Sequence, residues 1–349
     1  MLELWSPDEA FERIEAYLRE RGFFRLGGEQ LVANVYLGYG LSETLRRSAV
    51  PSPSEPCQLP LAAVSIRDTS EGLSLLTAAD AFRVGSWRRS WGGEEYAAAV
   101  EEVRAAIERG DVYQVNLVQH LSASFEGEPA ALAVALAGFR PLAPYLAGES
   151  WAIVSASPEL FLARRGRRVL TMPIKGTRPL GEHVEGAKDE AEHVMIVDLE
   201  RNDLSRVCEP GSVRWPELMV ERELAGVTHL VSRVEGRLRE DVSLAELLAA
   251  TFPGGSVTGA PKLAALDEIA RLEPVGRGAS MGALGTVRGN GDLELALTIR
   301  TFAIADGRIH LWVGGGIVWD SDPYEEIEES WTKARPLLMA VGAPLEVSA

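Results

Sequence analysis

The stretch 293-LELALTIRTFAIADGRIHLWVGGGIVWDSDPYEEIEESW-331 decides the fold class. Leu293, Leu295, Leu297, Ile299 and Thr301 alternate with residues of the opposite face. Asp306-Gly307 then supplies a two-residue turn, and Ile309, Leu311 and Val313 resume the alternation, the pattern of a β-hairpin. Directly behind it, Asp322 stands as N-cap, Pro323 as the first helical residue and Glu325 as the third residue of a capping box. The acidic first turn suits the helix dipole. This spacing predicts a helix running to about Met339.

Working outward, Tyr96, Val100, Val103 and Ile107 recur at helical spacing from Glu94, with Gly110 as the stop, and Val112 to Val118 reads as a strand. Glu185 to Leu199 reads as another helix. Residues 1 to 90 are the least regular part, and Pro51-Ser52-Pro53-Ser54-Glu55-Pro56 reads as a loop or boundary. Helices and hairpins alternate without the single-strand, single-helix rhythm of a doubly wound sheet, so the expected class is α+β with layered antiparallel sheets. No short solenoid period is present. The chain divides into 1–90 and 91–345, expected to pack as one compact unit.

With 349 residues the chain is long enough to bury an ample core without covalent staples. Its two cysteines, Cys57 and Cys208, show neither metal-ligand spacing nor a redox pair, as expected in a reducing cytosol. A formal net charge of -16 argues against a nucleic-acid partner, because phosphate-backbone affinity needs basic surface. Acidic residues interrupt the first twenty positions, so no targeting signal is visible, and no run of ~18 apolar residues exists to span a bilayer. A cytoplasmic protein is expected.

Several groups carry chemistry. Asp189 and Glu192 lie three apart on one expected helix, and Glu326 and Glu329 lie three apart on another. Each helix therefore shows an acidic stripe, and two facing stripes would offer oxygen donors to a hard divalent cation. Most such stripes are simply solvated, and Glu329 with Lys333 matches an ordinary i,i+4 surface pair. Lys175, between Pro173-Ile174 and Gly176-Thr177, has apolar neighbours that would disfavour its charged form and fit it for nucleophilic attack. The commoner reading of any one lysine is an exposed loop residue. Gly314-Gly315-Gly316 exposes backbone N–H groups able to receive a carboxylate, although triple glycines usually mark tight connections. The Phe252 to Lys262 loop fails as a nucleotide-phosphate loop, since Gly259 is followed by Ala260-Pro261 where Lys and Ser/Thr are required.

Taken in order, the runs 110-GDVYQVNL-117, 157-SPE-159, 173-PIKGT-177, 192-EHVMIVDL-199, 201-RNDL-204, 228-THL-230, 252-FPGGSVTGAPK-262, 299-IRT-301 and 314-GGGIV-318 resemble the chorismate-utilising family. That family comprises the anthranilate, aminodeoxychorismate, isochorismate and salicylate synthases. The resemblance covers about residues 94 to 340. It implies a four-layer α/β/β/α fold with two orthogonally packed antiparallel sheets, an active site between the two halves of that fold, and region 91–345 as the chorismate-binding catalytic part. By the same resemblance, Glu192 and Glu329 are direct Mg2+ ligands, with Asp189 and Glu326 acting through water. Arg300, Lys333 and the backbone of Gly314, Gly315 and Gly316 correspond to the clamp on substrate carboxylates. Thr177, Gly176, His229 and Ser256 line the ring.

Glu159 matches the family's general acid for the departing 4-hydroxyl. Gln114 stands where the water-adding members carry a lysine, which implies an ammonia user. Among those, the lysine form of 173-PIKGT-177 marks the aminodeoxychorismate branch, and the alternative is the anthranilate branch, where alanine replaces it. Lys175 would then attack C2 of chorismate and ammonia would add at C4, through a covalent intermediate, on the route to 4-aminobenzoate and folate. A non-catalytic chorismate-binding subunit is the reading from another class. The chain departs from the family at 277-RGASMG-282, where Ser280 takes a usually aromatic position and Met281 follows it. It also lacks a match to the tryptophan-binding stretch, so tryptophan feedback is not expected. No glutaminase constellation is present, which implies ammonia from a separate glutamine amidotransferase subunit.

Overall fold

The computed structural model describes residues 1–69, 82–179, 187–224 and 227–342, with side chains omitted at 177–179, 187–189, 223–224 and 227. Among the described residues the chain builds two antiparallel sheets. The larger, of ten strands, runs β1 (Leu2–Leu4), β3 (Ala62–Asp68), β2 (Leu31–Leu37), β15 (Ala283–Arg288), β16 (Leu293–Leu297), β9 (Leu160–Arg165), β10 (Arg168–Met172), β13 (Val227–Arg237) and β11 (Ile174–Pro179), with β12 (Arg214–Leu224) also on β13. The smaller, of eight, runs β14 (Gly259–Ala260), β6 (Gln114–Gly127), β18 (Arg308–Ile317), β17 (Thr301–Ala305), β8 (Trp151–Ser155) and β7 (Tyr145–Ala147), with β4 (Phe82–Val84) and β5 (Arg88–Arg89) also on β6. Every pairing is antiparallel, so the α+β expectation holds.

Strand alternation sets the layers. On β18, Trp312 faces the core between the sheets, whereas Ile309, Leu311 and Val313 face a second core. That second core is closed by α3 (Pro129–Ala135) and α7 (Pro323–Ala340). α2 (Gly93–Glu108) packs beside α7 on the same side. Across the molecule, α4 (Ala187–Ser205) covers β11, β12 and β13, while α5 (Leu244–Thr251) packs between α4 and α1 (Ala10–Glu20). Side chains such as Trp312, Tyr36 and Phe302 are fully buried, each contributing about 1.5–3 kcal/mol. β1, β2 and β3, within residues 1–69, share the larger sheet with the C-terminal half, since β2 pairs β15 from Val32↔Arg288 to Leu37↔Ala283.

The opening stretch folds differently in one respect. Its turn at Asp306-Gly307 joins β17 to β18, with Ala305 opposite Arg308, but the strand before the turn is two strands in two sheets. β16 belongs to the larger sheet and β17 to the smaller, and the chain crosses between them at Arg300, whose φ is 50°. Alternation continues across such a crossing, so the pattern alone does not reveal it. The strand expected at Val112 begins at Gln114 and continues to Gly127. The helix after Asp322 is present, and the Asp322 side chain accepts from the N–H groups of Tyr324 and Glu325. The helix expected from Glu185 is described from Ala187 to Ser205, with residues 185 and 186 outside the described residues.

Candidate active site

Lys175, Glu192, Glu326, Glu329 and Lys333, which the sequence singles out, come together where β6, β11, β18, α4 and α7 meet. Lys175 on β11 places its Nζ 2.6 Å from Oε1 of Glu192 on α4, and both side chains are largely buried. The Gln114 Nε2 donates to the same oxygen at 2.5 Å. Burial alone would push the Lys175 ammonium down, but the Glu192 carboxylate, helped by Glu159 and Glu329, outweighs it and holds the pKa above the ordinary value. This corrects the sequence-based expectation of a neutral amine: Pro173 and Ile174 are apolar, yet the partner that matters comes from another element. For Glu192, burial acts upward, and Lys175, Gln114 and Lys333 together bring the pKa below the usual value.

α7 supplies the opposing acids. Glu329 pairs with Lys333 at 2.7 Å, and Lys333 also donates to the Gly314 carbonyl at 2.9 Å. Glu326 is buried and accepts from the Ser321 hydroxyl at 2.7 Å. The need for glycine at 315 and 316 is steric. A Cβ on Gly316 would collide with Gln114 Nε2 and stand 2.7 Å from Glu192 Oε1. One on Gly315 would stand 3.2 Å from Glu326 Oε2, 3.6 Å from Glu329 Oε1 and 3.6 Å from Lys333 Nζ. The bare strand is thus bordered by oxygens from both helices, a donor set that fits a hard divalent cation. Among the described residues no three metal-capable side chains yet meet at one point. The side chains of Asp189 and Thr177 lie outside the described residues.

Glu159, just ahead of β9, is buried at the floor. Its Oε1 accepts from Ser256 Oγ at 2.9 Å and from the Ile174 N–H at 3.4 Å. Burial raises its pKa, and the counteracting Ser256, Lys175, Ile174 and Arg300 do not restore it. A carboxyl biased toward its protonated form is what a general acid requires. His229 on β13 meets the Gly176 carbonyl through Nδ1 at 3.0 Å, and burial lowers its pKa, so the ring is biased toward neutral. Arg300 forms no ion pair among the described residues, and burial lowers its pKa despite the Glu159 charge. A desolvated guanidinium of this kind is suited to a carboxylate ligand.

Sequence reasoning left four features without a role. Arg277 and Glu273 form a fully buried pair, with Nη2 to Oε1 at 2.7 Å and Nε to Oε2 at 2.9 Å. Arg277 also donates to the carbonyls of Val257 and Asn116, while Glu273 accepts from the Val118 N–H, so the pair fixes β6 behind Gln114. Ser280, the departure from the aromatic pattern, is fully buried in the loop that follows. Asp203 and Lys262 pair at 2.5 Å and tie α4 to α6 (Lys262–Leu272). Glu200, buried, accepts from Thr171 Oγ1 at 3.0 Å, and burial together with Glu159 pushes it up to about 8. Nothing in the spacing of these residues separates them from surface pairs.

A sequence profile described as chorismate binding enzyme matches residues 45–339. Aminodeoxychorismate synthase component 1 of Klebsiella aerogenes is 40% identical over 266 residues, 72% of this chain and 59% of that protein. Anthranilate synthase component 1 of Thermus thermophilus is 44% identical over 263 residues, 71% of this chain and 56% of that protein. The chain therefore spans under two thirds of the length of these curated relatives. The crystal structure of anthranilate synthase component I from Streptococcus pneumoniae superposes with a TM-score of 0.79 at 25% identity, covering 92% of this chain and 84% of that one.

Proposed function

The chain belongs to the chorismate binding enzyme family, and from that membership we propose that it is component 1 of an aminodeoxychorismate synthase. The reaction is chorismate plus ammonia to 4-amino-4-deoxychorismate plus water. The C4–O bond breaks, a C4–N bond forms, Glu159 gives the proton that the leaving hydroxyl takes up, and the incoming ammonia returns one proton to Glu159. The observation that carries the reading is the convergence of Lys175, Glu159 and Arg300 beside the glycine strand. Arg300 and the backbone of Gly314 to Gly316 receive substrate carboxylates, with Lys333 adding positive charge. His229, Gly176, Thr177 and Ser256 border the ring, and Gln114 holds Glu192 in place.

In this reading Lys175 forms the transient bond at C2, and ammonia addition at C4 expels it. The lysine is paired with Glu192, so Nζ passes a proton to that carboxylate before it attacks and recovers it when ammonia addition releases the amine. Mg2+ is the proposed cation, held by Glu192 and Glu329 with Asp189 and Glu326 through water, and it would neutralise the ring carboxylate of the substrate. The relatives named component 1 support a second subunit, for which a glutamine amidotransferase that releases ammonia is the proposed partner. No helix among the described residues is long and apolar enough to cross a membrane. A cytoplasmic location is part of the proposal.

The Thermus thermophilus relative supports a second reading, anthranilate synthase component 1, in which the product is anthranilate and pyruvate is released. Lys175 favours the first. Product identity from chorismate, Mg2+ and ammonium, measured for the wild type and Lys175→Ala side by side, separates the two.

A further inference from the structure

Two buried acceptors on β6 have no use in the account so far. Gln114 commits its Nε2 to Glu192, which fixes the orientation of its amide and leaves Oε1 buried with no partner among the described residues. Two residues on, Asn116 is 7% exposed and its Oδ1 is likewise buried with no partner among the described residues. A two-residue step returns to the same face of a strand. Both side chains therefore face the same side, and Asn116 lies directly opposite Gly316, the glycine that faces Glu192 Oε1. The Asn116 backbone cannot drift, because its N–H donates to the Thr258 carbonyl and its own carbonyl accepts from Arg277 Nη2. Buried acceptors left empty are costly, so a pair at the edge of a ligand site points to a ligand that brings donors.

We propose that Gln114 Oε1 and Asn116 Oδ1 form the ammonia subsite, each accepting one N–H bond. This rests on the reading of the chain as an ammonia-using enzyme and deepens it by assigning Asn116. Ammonia carries three N–H donors and one lone pair. Two near-linear N–H···O bonds of roughly 2.9–3.0 Å from one tetrahedral nitrogen bridge oxygens about 4.7–4.8 Å apart, which side chains two positions along a strand can present by leaning toward each other. With two N–H groups so held, the lone pair turns toward the ring. The acceptors are uncharged, so they orient the molecule without drawing a proton onto it.

The test is a pair of substitutions at Asn116, which makes no side-chain bond to Glu192. Initial rates are measured against ammonium chloride at saturating chorismate and Mg2+, and then against chorismate at saturating ammonium. Loss of one hydrogen bond predicts that Asn116→Leu raises the KM for ammonia about five- to tenfold while the KM for chorismate stays within twofold. Asn116→Ser, which keeps an acceptor, lies between the two and guards against a folding defect in the first variant. Ammonia KM values within twofold of wild type in both variants, as expected if only water occupies the pair, overturn the proposal. Equal increases for ammonia and chorismate also overturn it. A wild type that consumes ammonia but makes anthranilate overturns the preferred function while the Asn116 result still decides the subsite. A wild type that consumes no ammonia overturns both.

Discussion

Replacing Arg277 by Met should destabilise the protein by about 3–5 kcal/mol, the cost of leaving a buried ion-pair partner uncompensated. The magnitude follows from the surroundings. Both side chains are at most 2% exposed, so no solvent screens the Glu273 carboxylate once the guanidinium is gone. The Val257 and Asn116 carbonyls lose their donors at the same time. Thermal unfolding followed by circular dichroism should show the midpoint lowered by roughly 4–7 °C, since the unfolding entropy of a 349-residue chain is large. Adding Glu273→Gln to Arg277→Met should recover about 1–3 kcal/mol, since Gln still accepts from the Val118 N–H and strands no charge. A single variant within ~1 kcal/mol of wild type, or a double variant no better than the single, would refute the claim that this pair locks β6.

Glu159→Gln keeps the shape of the floor and removes the acid, so kcat should fall about 10²–10⁴-fold while chorismate binding by calorimetry changes little; an equal loss of binding would argue against the acid role. Glu192→Gln and Glu329→Gln should each weaken Mg2+ binding in titration calorimetry, and full activity in EDTA would dismiss the cation. Glu200 titrates near 4.5 when unfolded and near 8 when folded, so the native state holds one extra proton between those values and loses stability as pH rises through that window. Glu200→Gln removes the effect. The stability of the variant relative to wild type should grow by up to ~1.4 kcal/mol per pH unit from pH 5 to 8, and parallel unfolding midpoints across that range would contradict it.

The parts of the site that were legible in the sequence are those where residue type itself carries the chemistry. Glu159, Lys175, Glu192, Arg300 and the three glycines stand in short ordered runs, and the fold brings them together. What stayed hidden depended on partners in other elements. The charge on Lys175 is set by Glu192, not by its apolar neighbours. Glu273 and Arg277 are four apart, the spacing of a solvated helix pair, yet they are buried because the turn ending at Val257 and strand β6 at Asn116 close over them. The crossing at Arg300 escaped alternation because a strand entering a second sheet keeps its period of two. β6 outran its expected end because Gln119 and His120 are polar yet buried, which broke the apolar run without breaking the strand.

Mass spectrometry of the product formed from chorismate, ammonium and Mg2+ bears most directly on the role given to Lys175. Wild type should yield 4-amino-4-deoxychorismate with its enolpyruvyl ether intact, and Lys175→Ala should yield none. Anthranilate with pyruvate from the wild type, or unchanged product from Lys175→Ala, would contradict the account.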